Sequence, residues 1–555
     1  MNGAAVCVQC LLEEKIQYIF GYPGAAIAPF YDALRVYDPA DSVPVAGESI
    51  RHVLVRNEQS AGHAASGYAR ASATVGVCVA TSGPGALNLM PALATAYMDS
   101  IPIVAITGQV STELIGRDVF QEADITGACE PFTKYSYLVK DVNDLPRIFR
   151  EAFHIASTGR PGPVLIDLPL DVQQAEYPLP FEYPHTVSIR GYKPRTQGHP
   201  LQIKRAVAEI AEAKKPLICA GGGVVSAGAR KELIRLAEKL DIPVVSTLMG
   251  VGTMPSDHPL YLGMLGTHGR RAANIAVAKS DLMILCGARV GDRSLASPDQ
   301  TASHARIIHI DIDTVEIGKN MAADVPIVGD VRDVLVALHD ESGALRHDDW
   351  RSQFTLWREA EPDYPTPHDG YVQPGRFMRE LSGMSADRGK VILVADVGQN
   401  QMWAANSFAF DGGRFLTSGG MGTMGYSIPA AIGAKLAKPD RQVIVVCGDG
   451  SFMMMLPELS TLMQEHLPVK IIIMRNGVLG MVREIQKRRC GGRYFGVSLD
   501  GCPDTIALAG SYGISAGVLS DGSEAAMRTA IDRLLSEDGA AILECIVDPD
   551  ASSLR

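Results

Sequence analysis

The stretch Val443–Met455, VIVVCGDGSFMMM, decides the fold and poses the chemical question. An apolar, β-branched run of strand length ends abruptly at Gly448-Asp449-Gly450, and a helix-like segment follows. Glycines after a strand let a backbone come close to a ligand, and a helix start aims N–H groups at an anion. A carboxylate between two such glycines repels a phosphate unless a cation lies between them. Strand, glycine turn and helix together make the unit of a parallel α/β sheet, whose loops at the strand C-termini carry function.

The same unit recurs outward from this point. Tyr18–Gly24 (YIFGYPG), His52–Gln59 (HVLVRNEQ), Gly76–Gly85 (GVCVATSGPG) and Ile101–Gln109 (IPIVAITGQ) form one group. Pro216–Gly223 (PLICAGGG), Pro243–Thr247 (PVVST), Leu282–Val290 (LMILCGARV) and Ile307–Asp313 (IIHIDID) form a second. Val391–Gln401 (VILVADVGQNQ), Val443–Ser451, Val469–Gly477 (VKIIIMRNG) and Ala540–Asp548 (AAILECIVD) form a third. Proline-rich, aperiodic segments at Gln173–Pro200 and Ala360–Gly375 read as linkers. The expectation is an α/β protein of three domains, 1–185, 190–345 and 370–555, each with a central, mainly parallel sheet flanked by helices.

Composition sets the outer limits. A chain of 555 residues is too long for one core. With 46% hydrophobic and 20% charged residues it is an ordinary globular protein. A net charge of −11 without a long Lys/Arg block argues against nucleic acid or an anionic membrane as main partner. Apolar runs are strand-length, far short of a bilayer span. The start MNGAAVCVQC lacks a basic region followed by an apolar one, and ten scattered cysteines fit a reduced, cytoplasmic protein. Cys7 and Cys10 match C-x-x-C without a partner pair, so they read as small apolar residues on one helix face.

In a βαβ unit, consecutive parallel strands end at the same edge of the sheet. Asp449 and Asn476, with 26 residues between them, are therefore expected to meet, offering a carboxylate and an amide oxygen. Hard oxygen ligands in that number suit Mg²⁺, which takes phosphate oxygens for its remaining positions. The alternative is that Asp449 merely caps a helix. The Met453–Met455 run is expected in the core.

Gly-Asp-Gly followed at this spacing by Asn resembles the thiamine diphosphate motif of thiamine diphosphate-dependent enzymes. That family uses a glutamate from another domain to protonate the cofactor's aminopyrimidine, and Glu58, at a strand's end before a small-residue helix, has the matching context. Further segments narrow the resemblance to acetolactate synthase catalytic subunits: Gly21–Leu34, Ala80–Val110, Asp118–Ile125, Gly159–Gln173, Gly263–Gly269, His309–Asn320, Ser418–Gly433 and Leu479–Glu484. The likeness runs from Ala5 to about Asp548.

The resemblance implies a role for each matching position. By it, Glu58 is the activating acid, Phe120 and Gln121 border the reaction centre, and Arg293 stands at the substrate entrance. Pro23, Gly24, Gly398, Gln399, Asn400, Gly448, Gly450, Ser451, Leu479, Gly480 and Met481 contact the thiamine cofactor. Gly422, Thr423 and Met424 lie under it, Met424 propping its rings into a V. Asp449, Asn476 and the Val478 carbonyl hold Mg²⁺. The central domain would carry FAD through Arg190, Gly222, Gly223, Thr247, Leu248, Met264, His268, Arg289, Asp311, Ile312 and Asp330. Read without the resemblance, its G-x-G-x-x-S loop supports a nucleotide only weakly, and a plain helix–sheet domain is the alternative.

The implied reaction is decarboxylation of pyruvate and transfer of the two-carbon unit to a second 2-oxo acid, pyruvate or 2-oxobutyrate, in branched-chain amino-acid synthesis. A homodimer or homotetramer is expected, and a small regulatory subunit is compatible. Another thiamine diphosphate and FAD enzyme, of the pyruvate oxidase or sulfoacetaldehyde acetyltransferase type, is the alternative. A nicotinamide dehydrogenase leaves Glu58 and the Asp449–Asn476 spacing unexplained. Three positions depart from the family pattern. Ile485 stands where tryptophan is usual, which bears on acceptor choice, and Asn400 stands where histidine is usual. The chain ends at ECIVDPDASSLR where relatives continue into a closing segment.

Overall fold

The structure is a computed structural model that describes residues 1–41, 49–178, 180–295 and 297–554. It contains three parallel, six-stranded sheets. The first comprises β1 (Tyr18–Gly21), β2 (Arg51–Leu54), β3 (Gly76–Ala80), β4 (Ile103–Gln109), β5 (Tyr135–Leu138) and β6 (Pro163–Pro169), in the order β2-β1-β3-β4-β6-β5. The second comprises β7 (Pro216–Ala220), β8 (Val244–Ser246), β9 (Tyr261–Met264), β10 (Leu282–Cys286), β11 (Arg306–Asp311) and β12 (Val325–Val328), ordered β12-β11-β10-β7-β8-β9. The third repeats the plan of the first with β13 (Val391–Ala395), β14 (Arg414–Leu416), β15 (Gln442–Gly448), β16 (Val469–Arg475), β17 (Ser515–Leu519) and β18 (Ala541–Ile546), ordered β14-β13-β15-β16-β18-β17. Central strands such as β3, β4, β10 and β13 are buried at every residue, as expected where helices cover both sheet faces.

The chain divides into two compact units. The first holds Met1–Lys193, Ser418–Pro439 and Met454–Val469, and so the first sheet; the second holds the remainder and the other two sheets. Within the first unit, helix Ser427–Ala437 crosses helix Glu58–Ser72 at two glycines. A Cβ on Gly67 would lie 1.9 Å from Ala430 O, and one on Gly433 would lie 1.9 Å from Ala64 O. The small-residue sequences of both helices thus set their close approach.

The Gln173–Pro200 segment, read as a linker, is largely without regular structure, yet Phe181, Tyr183, Ile189 and Tyr192 pack on the first sheet's core. Cys7 and Cys10 are fully buried on helix Gly3–Glu13 within that core, and burial pushes both thiols up, away from thiolate chemistry. The Met453–Met455 run does not lie wholly in the core as expected: Met455 is buried, whereas Met453 and Met454 are exposed.

Candidate active site

In the first unit, Pro23 and Gly24 follow β1, Glu58 follows β2, and Phe120 and Gln121 come after β4. Glu58 opens helix Glu58–Ser72, whose N-cap Asn57 accepts the Gln59 N–H. Glu58 Oε2 accepts a hydrogen bond from Asn88 Nδ2 at 2.9 Å. Around the other oxygen the backbone carries no bulk: a Cβ on Gly85 would lie 3.1 Å from Glu58 Oε1 and 2.8 Å from Thr81 Cγ2. Gly24, after Pro23, faces the same threonine, its missing Cβ 2.5 Å from Thr81 Cβ. Thr81 Oγ1 is buried without a hydrogen-bond partner. A glycine-lined cradle holding an unmet hydroxyl beside a half-buried carboxylate fits a polar heterocycle.

Gln121 adopts the left-handed region at φ +58°, uncommon for a residue with a side chain, and its backbone lies against Gly83. Gln109 Nε2 holds the same loop by donating to Ala123 O at 2.8 Å and to Asp167 Oδ2 at 3.0 Å. Thr107 Oγ1 donates to the other Asp167 oxygen at 2.7 Å. Burial pushes the Asp167 carboxyl up to about 7 against these hydrogen bonds. Phe120 next to Gln121 is 86% exposed. The Gly422–Met424 turn belongs to this unit: Asp99 accepts from Gly419 N and Gly420 N, Ser418 Oγ accepts from Thr423 N, and the Thr95 and Thr423 hydroxyls are 2.7 Å apart. Gly422 has φ +72° with open space where a Cβ would sit.

The second unit places Asp449 and Asn476 at the ends of neighbouring strands β15 and β16. Asp449 is buried; its Oδ2 accepts from Gly477 N at 2.8 Å and its Oδ1 from Gly450 N at 3.0 Å. These are not the N2 or N3 donors of a helix cap. Burial raises its pKa, opposed by those N–H groups and by Arg475. Asn476 Oδ1 accepts from Val478 N at 3.1 Å, while Asn476 Nδ2 turns to Gln399 Oε1 at 3.4 Å. Gly480 sits on that pair: a Cβ there would lie 2.1 Å from Gln399 Oε1 and 2.7 Å from Asn476 Nδ2. Gly398 has φ +147°, a region open essentially to glycine alone. Asn400 spends its amide donors on Asp396 O and Val446 O, tying β13 to β15, and Ser451 Oγ reaches Val397 O at 3.4 Å.

One carboxylate, one amide oxygen and nearby backbone form a hard-oxygen donor set that fits Mg²⁺ completed by phosphate. Among the described residues no group of three or more His, Cys, Asp or Glu could hold a metal unaided. Leu479 is fixed by its N–H to Val497 O at 2.8 Å, Met481 packs on the third sheet's core, and Ile485 is half-buried on helix Gly480–Arg489.

Around the second sheet, Gly222, Gly223, Thr247, Leu248, Met264, His268, Arg289, Asp311, Ile312 and Asp330 all lie at or after the C-terminal ends of strands. His268 Nε2 is buried without a partner, and burial lowers that imidazole's pKa. The unmet, buried imidazole nitrogen of His268 fits a polar ligand at this edge. Other features close on themselves: Gly223 packs against Gly287, Asp311 Oδ1 accepts from Asp313 N, and Asp330 caps helix Val331–Glu341. Arg190 is exposed and belongs to the first unit. Arg293 is exposed, its guanidinium 3.7 Å from the Asp292 carboxylate.

Thr81, Asn88 and Asp167 take part in these arrangements without having been singled out from sequence, and so does Glu484, which accepts from Gln399 Nε2 at 3.0 Å. Thr81 and Asn88 did carry a signal, since they flank the glycine turn after β3, Asn88 on the short helix Pro84–Asn88.

Family models for thiamine pyrophosphate enzymes match three parts of the chain: an N-terminal TPP binding domain over residues 1–128, a central domain over 203–338 and a C-terminal TPP binding domain over 396–545. A probable acetolactate synthase large subunit of Methanocaldococcus jannaschii is 46% identical over 99% of the chain and 92% of the relative. An acetolactate synthase of Arthrospira platensis is 45% identical over 99% of the chain and 95% of the relative. The acetolactate synthase isozyme 3 large subunit of Escherichia coli K12 is 42% identical over 92% of the chain and 89% of the relative.

Proposed function

The chain belongs to the acetolactate synthase family of thiamine pyrophosphate enzymes, and from that premise we propose that it decarboxylates pyruvate and joins the two-carbon unit to a second 2-oxo acid. The observation that carries the proposal is the buried Asp449 carboxylate, held by Gly450 N and Gly477 N beside Asn476 at the ends of β15 and β16. Asp449, Asn476 and the Val478 carbonyl would hold Mg²⁺, with the diphosphate accepted at Gly398, Gly448, Gly450 and Ser451. Bound thiamine diphosphate supplies the carbanion-stabilising chemistry that decarboxylation of a 2-oxo acid requires.

The protein's own part is binding, orientation and proton placement. Glu58, anchored through Oε2 by Asn88, offers Oε1 to a ring nitrogen, and Thr81 Oγ1 offers a hydrogen bond in the same cradle. Gln121, fixed in the left-handed region, and exposed Phe120 border the reacting carbons. Arg293 would meet an incoming carboxylate. Half-buried Ile485, where the family usually carries tryptophan, bears on the choice between pyruvate and 2-oxobutyrate as acceptor. FAD at the second sheet's C-terminal edge belongs to the reading, as do the domain divisions 1–185, 190–345 and 370–555. So do a homodimer or homotetramer, the option of a small regulatory subunit, and a cytoplasmic location. No helix among the described residues is long and apolar enough to cross a membrane.

The test is a product assay with pyruvate, thiamine diphosphate, Mg²⁺ and FAD, each cofactor withheld in turn. Acetolactate that disappears without thiamine diphosphate or Mg²⁺ is the expected result. Acetyl phosphate formation or electron-acceptor reduction in its place would overturn the carboligation assignment.

A further inference from the structure

Helix Gly480–Arg489 buries one charged side chain, Glu484, and every hydrogen bond recorded to that side chain comes from two places. One is the cation cradle: Gln399 Nε2 donates to Glu484 Oε2 at 3.0 Å. The other is the segment 548–554: Ser552 Oγ donates to Oε1 at 3.0 Å, and Ser553 donates to Oε2 through N at 3.2 Å and Oγ at 2.6 Å. Gln399 Nε2 also donates to Ala551 O at 2.7 Å, and Trp403 Nε1 donates to Ser552 O at 2.9 Å. Gln399 Oε1 is in turn the acceptor for Asn476 Nδ2.

An amide has one donor end and one acceptor end, so engaging Asn476 Nδ2 decides where Asn476 Oδ1 points. We propose that Glu484 is a positioning residue that locks Gln399 and, through it, Asn476 in the cation-binding orientation, and that this lock closes only when Ala551–Ser553 is docked. Segment docking and cation binding are then thermodynamically coupled, each strengthening the other by the same factor. The inference rests on the proposed Mg²⁺ and thiamine diphosphate reading and adds a control element to it. The missing side chain at Gly480 makes the chain of contacts feasible, since a Cβ would occupy the space of the Gln399–Asn476 pair.

The experiment measures Mn²⁺ affinity by the electron paramagnetic resonance of the free ion, with full-length protein and saturating thiamine diphosphate. Tryptophan fluorescence is followed in parallel, because the Trp403 indole reports the docked segment. Glu484→Ala and Ser552→Ala/Ser553→Ala are each expected to weaken Mn²⁺ binding by roughly tenfold, and both should shift the Trp403 emission. Glu484→Gln can still accept from Gln399 and Ser553 and donate to Ser552 Oγ, so it should restore near-wild-type affinity. Lys487→Ala, on the same helix, should change neither signal. Wild-type protein that fails to bind Mn²⁺ would overturn the cofactor reading itself. Wild-type binding that is unchanged in Glu484→Ala, with the fluorescence shifted, would overturn the coupling alone.

Discussion

Asn88 Nδ2 and Glu58 Oε2 lie 2.9 Å apart, so the carboxylate at the start of one helix is fixed from the short helix Pro84–Asn88 that follows a different strand, β3. The proton-transfer role proposed for Glu58 depends on a free second oxygen and on that orientation. Glu58→Gln retains an acceptor for Asn88 and removes only the exchangeable proton. Turnover should fall by roughly 10²–10⁴ with an unchanged thermal midpoint. Asn88→Ala, which frees the carboxylate to rotate, should lose less. Steady-state kinetics beside calorimetry checks both, and near-normal turnover in Glu58→Gln would remove it from the mechanism.

Asp449 supplies the one carboxylate of the proposed cation site, so its loss should act through affinity for the ion. Exhaustive chelation should abolish activity, and Mg²⁺ with thiamine diphosphate should restore it. Asp449→Asn should weaken cation binding by roughly 100-fold or more, beyond the usual effect of an outer partner. The substitution also points an amide N–H₂ at one of two backbone donors, Gly450 N or Gly477 N, and leaves that donor unmet at a cost of about 1–3 kcal/mol. Titration calorimetry of the ion and thermal unfolding separate the two effects.

Much of this architecture was legible because central strands of a parallel sheet are continuous apolar runs that stop at glycine. VIVVC, VKIII and LMILC announce themselves in that way, and Asp449 and Glu58 stand where such runs end. The strands that went unread are mostly edges: β5, β9, β12, β14 and β17 each lie at the side of a sheet. An edge strand is covered on fewer sides, so β5 and β17 carry part-exposed residues that blur the pattern. β9 is buried, but it is four residues long and its pairing with β8 shifts register at Val244/Val245. Glu484 was unreadable for another reason. In GMVREIQKRR it looks like one more helix charge, and only its tertiary contact with Ser552 and Ser553, 68 and 69 residues on, buries it. Asn400, a cofactor contact by likeness, has both amide donors engaged by Asp396 O and Val446 O, while its Oδ1 faces Gly398 and Gly448.

The crossing of helices Glu58–Ser72 and Ser427–Ala437 predicts an inverted response to alanine. In a helix interior, Gly→Ala ordinarily stabilises by about 1 kcal/mol. At Gly67 and Gly433 the new methyl would strike a backbone carbonyl of the facing helix 1.9 Å away, which only separation of the helices can relieve. Gly67→Ala and Gly433→Ala should therefore each destabilise, by about 1–3 kcal/mol or more. Gly383, in helix Pro374–Met384 with nothing near its missing Cβ, should follow the ordinary rule and raise the thermal midpoint.

Asp167 gives a pH dependence whose sign runs opposite to that of a salt-bridged carboxylate. Burial lifts its pKa from 3.8 to about 7, the stronger effect, while hydrogen bonds from Thr107 and Gln109 pull it down. The folded state thus binds this proton more tightly than the unfolded chain does. The contribution to stability is full below the unfolded pKa, is lost as pH rises through about 7, and is constant above that. Asp167→Asn cannot ionise, yet it can accept from Gln109 and donate to the Thr107 hydroxyl. Relative to this variant, the wild-type protein should lose stability as pH rises from 3.8 to about 7, by on the order of 4 kcal/mol for a shift of that size, and its thermal midpoint should fall accordingly. The same carboxylate anchors Gln109, which holds Ala123 in the loop of Gln121. Parallel midpoints across this range would show that Asp167 is already ionised in the folded protein and that the Gln109 contact outweighs burial.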